Sequence, residues 1–265
     1  MDKSVLREKY DYCFSIGSAC SCTESLRAAG LQFHSLPFDW VDGSTLKKRS
    51  ELIASDFSHW IDKELLTPVF THHLDKEEMT VYRNSVTDIN FVHDFATSKP
   101  FDSVFSGVSE KYRRRCLRLL QHIESSRSVL AVYIDQPYQK EPVSDADIIY
   151  AREILMKRFP HVCIDILYLH NRDDVPYRQR LVTSPAEGIT QVAFCYNDFH
   201  THPFRVNRHI LFLVFSTLRL TGKHLTLRNR LLRLKAQYRW IRKKVMYAIT
   251  RRSPEKYVAK QTELR

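Results

Sequence analysis

Residues 10–42 read YDYCFSIGSACSCTESLRAAGLQFHSLPFDWVD. A short apolar run over 12–16 has the composition of a strand, and Gly17, which follows it, is a turn signal. Helix-forming residues then occupy 21–29. This order predicts that a strand delivers Cys20 to the start of a helix.

A thiol at the start of a helix is a candidate nucleophile. Unpaired backbone N–H groups and the positive end of the helix dipole both favour a thiolate, so we expect a lowered pKa for Cys20. These amides, in the turn that contains Ser15, Gly17 and Ser18, could also stabilise an oxyanion on a substrate carbonyl. A strand, turn and helix also suit phosphate binding or the plain packing of a buried cysteine, and local chemistry alone leaves these alternatives open.

Several short motifs accompany this stretch. They are SIGSAC at 15–20, LRAAGL at 26–31, SLPFDW at 35–40, NFVHDF at 90–95 and YRRR at 112–115. The pattern resembles a bacterial family of unknown function described as "putative papain-like cysteine peptidases", whose usual motifs are SLGxxC, PFDW and HDF. The resemblance is close over residues 10–135 and continues beyond them in outline. It implies a papain-like fold, a thiol nucleophile and a connection with bacterial surface-polysaccharide assembly.

A catalytic cysteine needs an imidazole within hydrogen-bond reach of its sulfur. His93 lies in the HDF motif, and the resemblance favours it as the general base over a core histidine. Asp39 of the PFDW motif ranks first as the group that orients the imidazole, although it could instead cap a helix or hold a turn. Asp135, after the expected strand 129–134, ranks behind it. Asp94 does so too, because neighbouring strand residues face opposite sides.

The apolar patterning predicts an α/β fold. Strands are expected over 12–16, 89–95, 129–134, 162–169 and 189–196, and helices over 21–29, 42–66, 109–126, 144–159 and 225–249. Ser109 and Ser144 are expected to cap the third and fourth helices. Strand, helix and strand over 129–169 predict a parallel βαβ unit. We therefore expect a partly parallel sheet flanked by helices over 1–220, which the resemblance implies is a papain-like core, and a basic helical tail over 221–265.

No metal or cofactor is expected. The six cysteines lack metal-ligand spacing and indicate reduced thiols rather than a disulfide framework. His72 and His73, on an expected loop, are adjacent and rarely converge on one ion. Asp198, His200 and His202 form a rival metal set, which we rank below a role in lining the cleft.

The positive charge is concentrated at the C-terminal end. Residues 221–265 hold 14 Lys and Arg against 2 Glu and carry +12, whereas the whole chain carries +11. The helix over 225–249 combines an apolar stripe with cations, so we rank an anionic membrane surface first as its partner, packing on the body second and nucleic acid last. The candidate membrane-binding residues are Arg233, Lys235, Arg239, Trp240, Arg242, Lys243 and Lys244.

The expected location is the cytoplasm, peripherally at the inner face of the membrane. The N-terminal segment lacks the apolar stretch of a signal peptide. The apolar run over 210–215 is far shorter than the roughly 20 residues that span a bilayer.

These observations predict a cysteine-dependent hydrolase or acyltransferase, in which Cys20 attacks the carbonyl of an amide or ester. The resemblance favours a small-molecule, glycan-linked or lipid-linked acyl substrate. Two alternatives stay open. One is a nucleotide-sugar-binding, glycosyltransferase-like protein whose turn before Cys20 holds a phosphate. The other is a non-catalytic membrane adaptor that works through the C-terminal helix, with Cys20 buried and inert.

Overall fold

The computed structural model describes residues 6–7, 9–135, 142–176, 179–195 and 208–250, and the side chains of 208, 209, 212, 240 and 243–250 lie outside this description. The described residues form a mixed α/β fold with three sheets and six α-helices. No helix among them is both long enough and apolar enough to cross a membrane.

Strands and helices are each numbered in chain order. The strands are β1 (Lys9–Tyr10), β2 (Tyr12–Ser15), β3 (Val41–Gly43), β4 (Leu66–Leu74), β5 (Glu77–Asn84), β6 (Ile89–Phe91), β7 (Ser128–Ile134), β8 (Cys163–Asn171), β9 (Leu181–Thr183), β10 (Ile189–Phe194) and β11 (Arg219–Leu220). The helices are α1 (Cys20–Ala28), α2 (Leu46–Ala54), α3 (Phe101–Glu124), α4 (Asp145–Arg158), α5 (Arg208–Phe215) and α6 (Leu227–Thr250). Short 3₁₀ turns cover Pro37–Trp40 and Lys63–Leu65.

The central sheet has five strands in the order β2, β7, β8, β10 and β9. The first four run parallel, and β9 pairs antiparallel at the edge. Because α4 links β7 to β8, the expected parallel βαβ unit is confirmed. Ser144 caps α4, as expected, by accepting a hydrogen bond of 3.1 Å from the backbone N–H of Asp147. The expected α/β fold with a partly parallel sheet flanked by helices is also confirmed.

Both faces of the central sheet are buried, as is usual for parallel strands. Alternate residues of β7 enter two separate core clusters, with Val129, Ala131 and Tyr133 in one and Leu130 and Val132 in the other. Side chains of α2, α3 and α4 complete the first cluster, and side chains of α1 and α5 complete the second. Strand β2, which leads to the turn before Cys20, belongs to this sheet and is therefore part of the same three-layer core.

A second sheet is antiparallel, with the order β3, β6, β5 and β4. Val41 of β3 lies opposite Phe91 of β6. This pairing brings Trp40, at the end of the first 3₁₀ turn, next to the segment that follows β6. That segment contains His93.

Two expected elements are shorter in the structure. The strand expected over 89–95 ends at Phe91, so His93 and Asp94 lie in a bend and do not alternate as strand residues. The helix expected over 42–66 covers only Leu46–Ala54. It ends there because Asp56, Phe57 and His59 have φ values of 54°, 63° and 58°, which an α-helix cannot contain.

Two other local expectations were wrong. The helix expected to open at Ser109 begins at Phe101, immediately after Pro100, so Ser109 lies inside the helix and does not cap it. His72 and His73 lie on strand β4 rather than on a loop. Short-range sequence signals missed the β4–β5 hairpin because its outer strand is largely exposed.

The C-terminal helix α6 contacts the body through Arg233 and Ala236. The Nη1 atom of Arg233 donates to the carbonyl of Leu220 at 2.8 Å, and Ala236 is 1% exposed. A Cβ built on Gly30, whose φ is +70°, would lie 3.2 Å from the Cβ of Ala236. Arg233 therefore faces the body, burial lowers its pKa, and its expected role in membrane binding stays a prediction. The side chains of Trp240, Lys243 and Lys244 lie outside the described part.

Four aromatic rings form a cluster where β2 begins. His122 lies 4.7 Å from Tyr12 and 5.0 Å from His34, both stacked, and 5.0 Å from His224, edge-on. Burial, followed by the neighbouring His34, His224 and Arg118, lowers the pKa of His122 to about 4. The cluster joins α3 to the first strand of the central sheet.

We expect this cluster to make the fold sensitive to acid. The pKa of His122 is lower in the folded chain than the ordinary 6.5, so between pH 6.5 and about 4 the unfolded chain binds more protons. The free energy of unfolding should therefore fall as the pH is lowered through this window, by about 1–2 kcal/mol from this residue, since water screens a partly exposed ring. In His122→Phe, which keeps a stacking ring, chemical denaturation should show a smaller fall. The matched control is His73→Gln, because His73 is exposed. Equal falls in wild type and His122→Phe would contradict the assignment.

Candidate active site

The turn between β2 and α1 is built by three buried residues. Ser15 accepts a hydrogen bond of 3.3 Å from the backbone N–H of Gly17, and Ser18 donates to the carbonyl of Ile134 at 2.9 Å. A Cβ on Gly17 would lie 2.7 Å from the Cβ of Cys22, so only glycine fits there. The side chains of Ser15 and Ser18 thus shape the turn, and the oxyanion role of its backbone amides stays a prediction.

A buried guanidinium holds the carbonyl groups of this turn. Arg49 of α2 has no exposed surface. It donates through Nη1 to the carbonyl of Gly17 and through Nη2 to that of Ser18 at 3.1 Å. It also donates through Nη2 to the carbonyl of Gly43 in β3 at 2.6 Å. One side chain therefore connects the turn before Cys20 with the antiparallel sheet.

Cys20 is the first residue of α1, with Ala19 at the N-cap, and it is partly exposed. Burial and the carboxylate of Glu24 raise the pKa of its thiol above the ordinary value. The backbone N–H groups of Cys20 and Ser21 lower it, and Asp42 raises it further. The helix amides act on the sulfur as expected, but they do not outweigh the other influences. The expected lowering of the pKa was therefore wrong.

His93 lies after β6, partly buried beside two rings. Its centroid is 5.9 Å from that of Trp40 and 6.2 Å from that of His72, both edge-on. The Nε2 atom of His72 lies 2.7 Å from the carbonyl oxygen of Val92, so His72 supports the peptide that precedes His93. Burial lowers the pKa of His93, and the imidazole is the neutral form at pH 7.

Cys20 and His93 are influenced by the same two carboxylates. Glu24 and Asp42 raise the pKa of the Cys20 thiol, and both also raise the pKa of His93 against the effect of burial. Glu24 follows Cys20 by one helical turn, and Asp42 accepts a hydrogen bond of 2.7 Å from Asn90 of β6. Within the described part of the chain, no hydrogen bond joins the thiol to the imidazole.

Asp39 lies in the 3₁₀ turn Pro37–Trp40 and is fully buried. Its carboxylate accepts four hydrogen bonds, from Thr23 and Arg27 at 2.9 Å each, from Gln32 at 2.8 Å and from the backbone N–H of Leu36 at 2.9 Å. None of these comes from His93. Its link to the imidazole is indirect, since Arg27 also lies over the ring of Trp40 at 5.6 Å. The prediction that Asp39 orients His93 directly stays a prediction, and the observed contacts show the turn-holding role.

The two lower-ranked aspartates also have partners of their own. Asp94 pairs with Lys111 and accepts a hydrogen bond of 2.7 Å from the hydroxyl of Tyr112, and its charge raises the pKa of His93. Asp135 directly follows β7 and is 3% exposed, with Tyr168 donating to its carboxylate. Burial raises the pKa of Asp135 to about 7.

The candidate metal-binding residues do not form a ligand cluster in the described part of the chain. Among the described residues, no three His, Cys, Asp or Glu side chains are grouped to hold an ion. Asp198, His200 and His202 lie outside the described residues. A groove of about 750 Å³ between α2 and α4, lined in part by Lys48, Lys157 and Arg158, includes neither Cys20 nor His93 in its lining.

Sequence reasoning missed several residues of this site. Glu24 could have been found from its i+4 spacing to Cys20, which places both side chains on one helix face. Asp42 and Asn90 could not, because their pairing depends on the register of β3 with β6. Arg49 gave no signal, since an arginine in an amphipathic helix is expected to face solvent.

Residues 11–157 match the model of the family described as "putative papain-like cysteine peptidase". This segment is more than half of the chain and contains Cys20, Asp39, His93 and Asp135. The chain therefore belongs to that family, and at the coarse level it is a thiol hydrolase of papain-like class. No curated protein and no solved structure gives a significant match.

Replacing Arg49 by Met should destabilise the protein by about 2–4 kcal/mol, because the buried carbonyls of Gly17, Ser18 and Gly43 lose their donor. Urea denaturation would measure this. Arg114→Met is the matched control, since Arg114 is exposed on α3 and should change stability by no more than about 0.5 kcal/mol. Equal effects of the two substitutions would show that the guanidinium does not hold the turn.

Removing the charge of Glu24 should make Cys20 more reactive. In Glu24→Gln the apparent pKa of the thiol should fall, and iodoacetamide labelling of Cys20 at pH 7 should speed up about two- to tenfold. Peptide mass spectrometry would follow each cysteine separately. Glu153→Gln, on the exposed side of α4, is the control and should leave the rate unchanged. An equal or slower rate in Glu24→Gln would contradict the claim that the Glu24 carboxylate raises the pKa of the Cys20 thiol.

Proposed function

We propose that this protein is a cysteine-dependent hydrolase or acyltransferase in which Cys20 attacks the carbonyl carbon of an amide or ester. The observation that carries the proposal is the position of Cys20 at the first residue of α1, with the N–H groups of Cys20 and Ser21 acting on its sulfur. Membership of the papain-like family supports the reaction class.

In the first step the Cys20 thiol loses its proton to the imidazole of His93 while its sulfur bonds to the carbonyl carbon. The carbonyl π electrons move to the oxygen, and the amides at the start of α1 stabilise the resulting oxyanion. The tetrahedral intermediate then expels an amine or alcohol, which takes the proton from His93. The product on the enzyme is a thioester.

In the second step His93 takes a proton from water or from an acceptor hydroxyl or amine, whose oxygen or nitrogen attacks the thioester carbonyl. The sulfur leaves and recovers its proton from the imidazolium. Water as the nucleophile gives hydrolysis, and another acceptor gives acyl transfer. Because the thiol and imidazole are not hydrogen-bonded in the free protein, this mechanism requires that they come within reach when substrate binds.

The charges around the site support a neutral resting pair. Burial raises the pKa of the Cys20 thiol and lowers that of His93, so the proton stays on sulfur and the imidazole is free to accept it. Glu24 and Asp42 favour the imidazolium, which exists only during the reaction. Because the same two carboxylates disfavour negative charge on the sulfur, their two effects on the proton transfer oppose each other.

We extend the proposal to a glycan-linked or lipid-linked acyl substrate used in assembling a bacterial surface polysaccharide. The motif resemblance of residues 15–40 and 90–95 supports this part. Helix α6 has large apolar side chains exposed to solvent. This exposed apolar surface supports a substrate that is held at a lipid surface.

Incubation with p-nitrophenyl acetate should acetylate the protein at Cys20, and intact-mass and peptide mass spectrometry would detect the thioester. Cys20→Ala should abolish this adduct. His93→Asn should slow its formation by about 10²–10⁴-fold, the usual contribution of a general base.

The matched control is Cys163→Ser, because Cys163 is another partly exposed thiol and contacts Arg7 at 2.9 Å. It should acetylate Cys20 at the wild-type rate. Adduct formation that survives Cys20→Ala at full rate, or that is equally fast in His93→Asn, would refute the proposed roles.

A further inference from the structure

Helix α6 has an apolar face that its packing leaves uncovered. The stripe Leu227, Leu231, Leu234, Tyr238 and Ile241 follows steps of four and three residues. Its members are 54–76% exposed. This stripe is the face that an amphipathic helix normally buries against its own domain.

The helix attaches to the body by the opposite side. Ala236 is buried against Gly30, and Arg233 donates to the carbonyl of Leu220 at 2.8 Å. Leu234 and Tyr238 are each two residues from Ala236, which is about 200° of rotation at 3.6 residues per turn. The orientation of α6 is therefore set by a small contact that points the apolar stripe outward.

Cations border the exposed stripe. Among the side chains of α6 that the structure describes, the exposed basic ones are Arg228, Arg230, Lys235, Arg239 and Arg242. By helical rotation Arg230 lies beside one edge of the stripe, and Lys235 and Arg242 lie beside the other. No Asp or Glu occurs in α6. An apolar centre with cationic edges matches a lipid surface, where acyl chains lie below a layer of anionic headgroups.

We propose that α6 docks this protein on an anionic membrane, with the stripe inserted among the headgroups and the helix axis parallel to the surface. Because cations occur in every turn, the helix lies on the bilayer and does not span it. A second copy of the chain is a poorer occupant, since two helices without acidic residues repel each other. Nucleic acid is poorer as well, because phosphates would bind the cations and leave the stripe in water.

Vesicle flotation with the full chain tests the proposal. Wild type should float with vesicles of phosphatidylcholine and phosphatidylglycerol, and at least about tenfold less with phosphatidylcholine alone, because both apolar and electrostatic contacts are needed. Leu234→Gln combined with Tyr238→Gln should lower binding at least about tenfold without affecting the fold, since both side chains are exposed. Arg239→Gln combined with Arg242→Gln should lower it on the anionic vesicles and weaken its salt dependence, because two of the cations are lost.

The matched control is Val69→Gln combined with Phe70→Gln, which removes two similarly exposed apolar side chains from β4 and should bind as wild type. Cys20→Ala should also bind as wild type, so a failure of membrane binding and a failure of the thiol chemistry are separate results. Three outcomes would overturn the proposal. They are unchanged flotation of the Leu234→Gln, Tyr238→Gln variant, a concentration-dependent dimer in light scattering that the same variant dissociates, and tighter binding to a DNA oligonucleotide than to anionic vesicles.

Discussion

The guanidinium of Arg49, a fully buried cation, connects the two sheets on which the candidate site is built. Taking an arginine out of water is costly, and charge-assisted hydrogen bonds to carbonyl oxygens offset that cost. The carbonyls of Gly17 and Ser18 belong to the turn before Cys20, and the carbonyl of Gly43 belongs to the sheet that leads to His93. One side chain from α2 therefore joins the parallel sheet, which positions the thiol, to the antiparallel sheet, which positions the imidazole. The two halves of the site are held in register by backbone groups, without a direct bond between the reacting side chains.

The charges at the site act in opposite directions on its two reacting groups. Glu24 and Asp42 disfavour the thiolate and favour the imidazolium. In a resting thiolate–imidazolium pair, the two carboxylates would stabilise the imidazolium and destabilise the thiolate. A neutral thiol beside a neutral imidazole avoids this destabilisation, and it also leaves the sulfur protonated and less open to oxidation while no substrate is present. The helix amides act against burial and Glu24, because they favour negative charge on the sulfur.

The sequence was sufficient for features set by local chemistry and failed where distant residues decide. The buried strand β7, the Ser144 cap and the placement of Cys20 at a helix start follow from neighbouring residues, and all three are observed. The pKa of Cys20 could not be predicted, because burial dominates it and burial is a property of the whole fold. The end of β6 at Phe91 and the contact of Asp42 with Asn90 both depend on strand register. The four donors to Asp39 could not be predicted either, because they come from α1, from the segment after it and from the turn itself.

The contact between Gly30 and Ala236 also sets a distance. It joins α6 to the C-terminal end of α1, and the nine residues of α1 separate that end from Cys20. At 1.5 Å per residue this rod is about 13 Å long. With α6 on a bilayer, the thiol would be held at a nearly constant distance from the contact with the lipid-bound helix, since a short α-helix neither stretches nor bends easily. An acyl group attached to a carrier in the membrane would then be selected by its reach as well as by its chemistry.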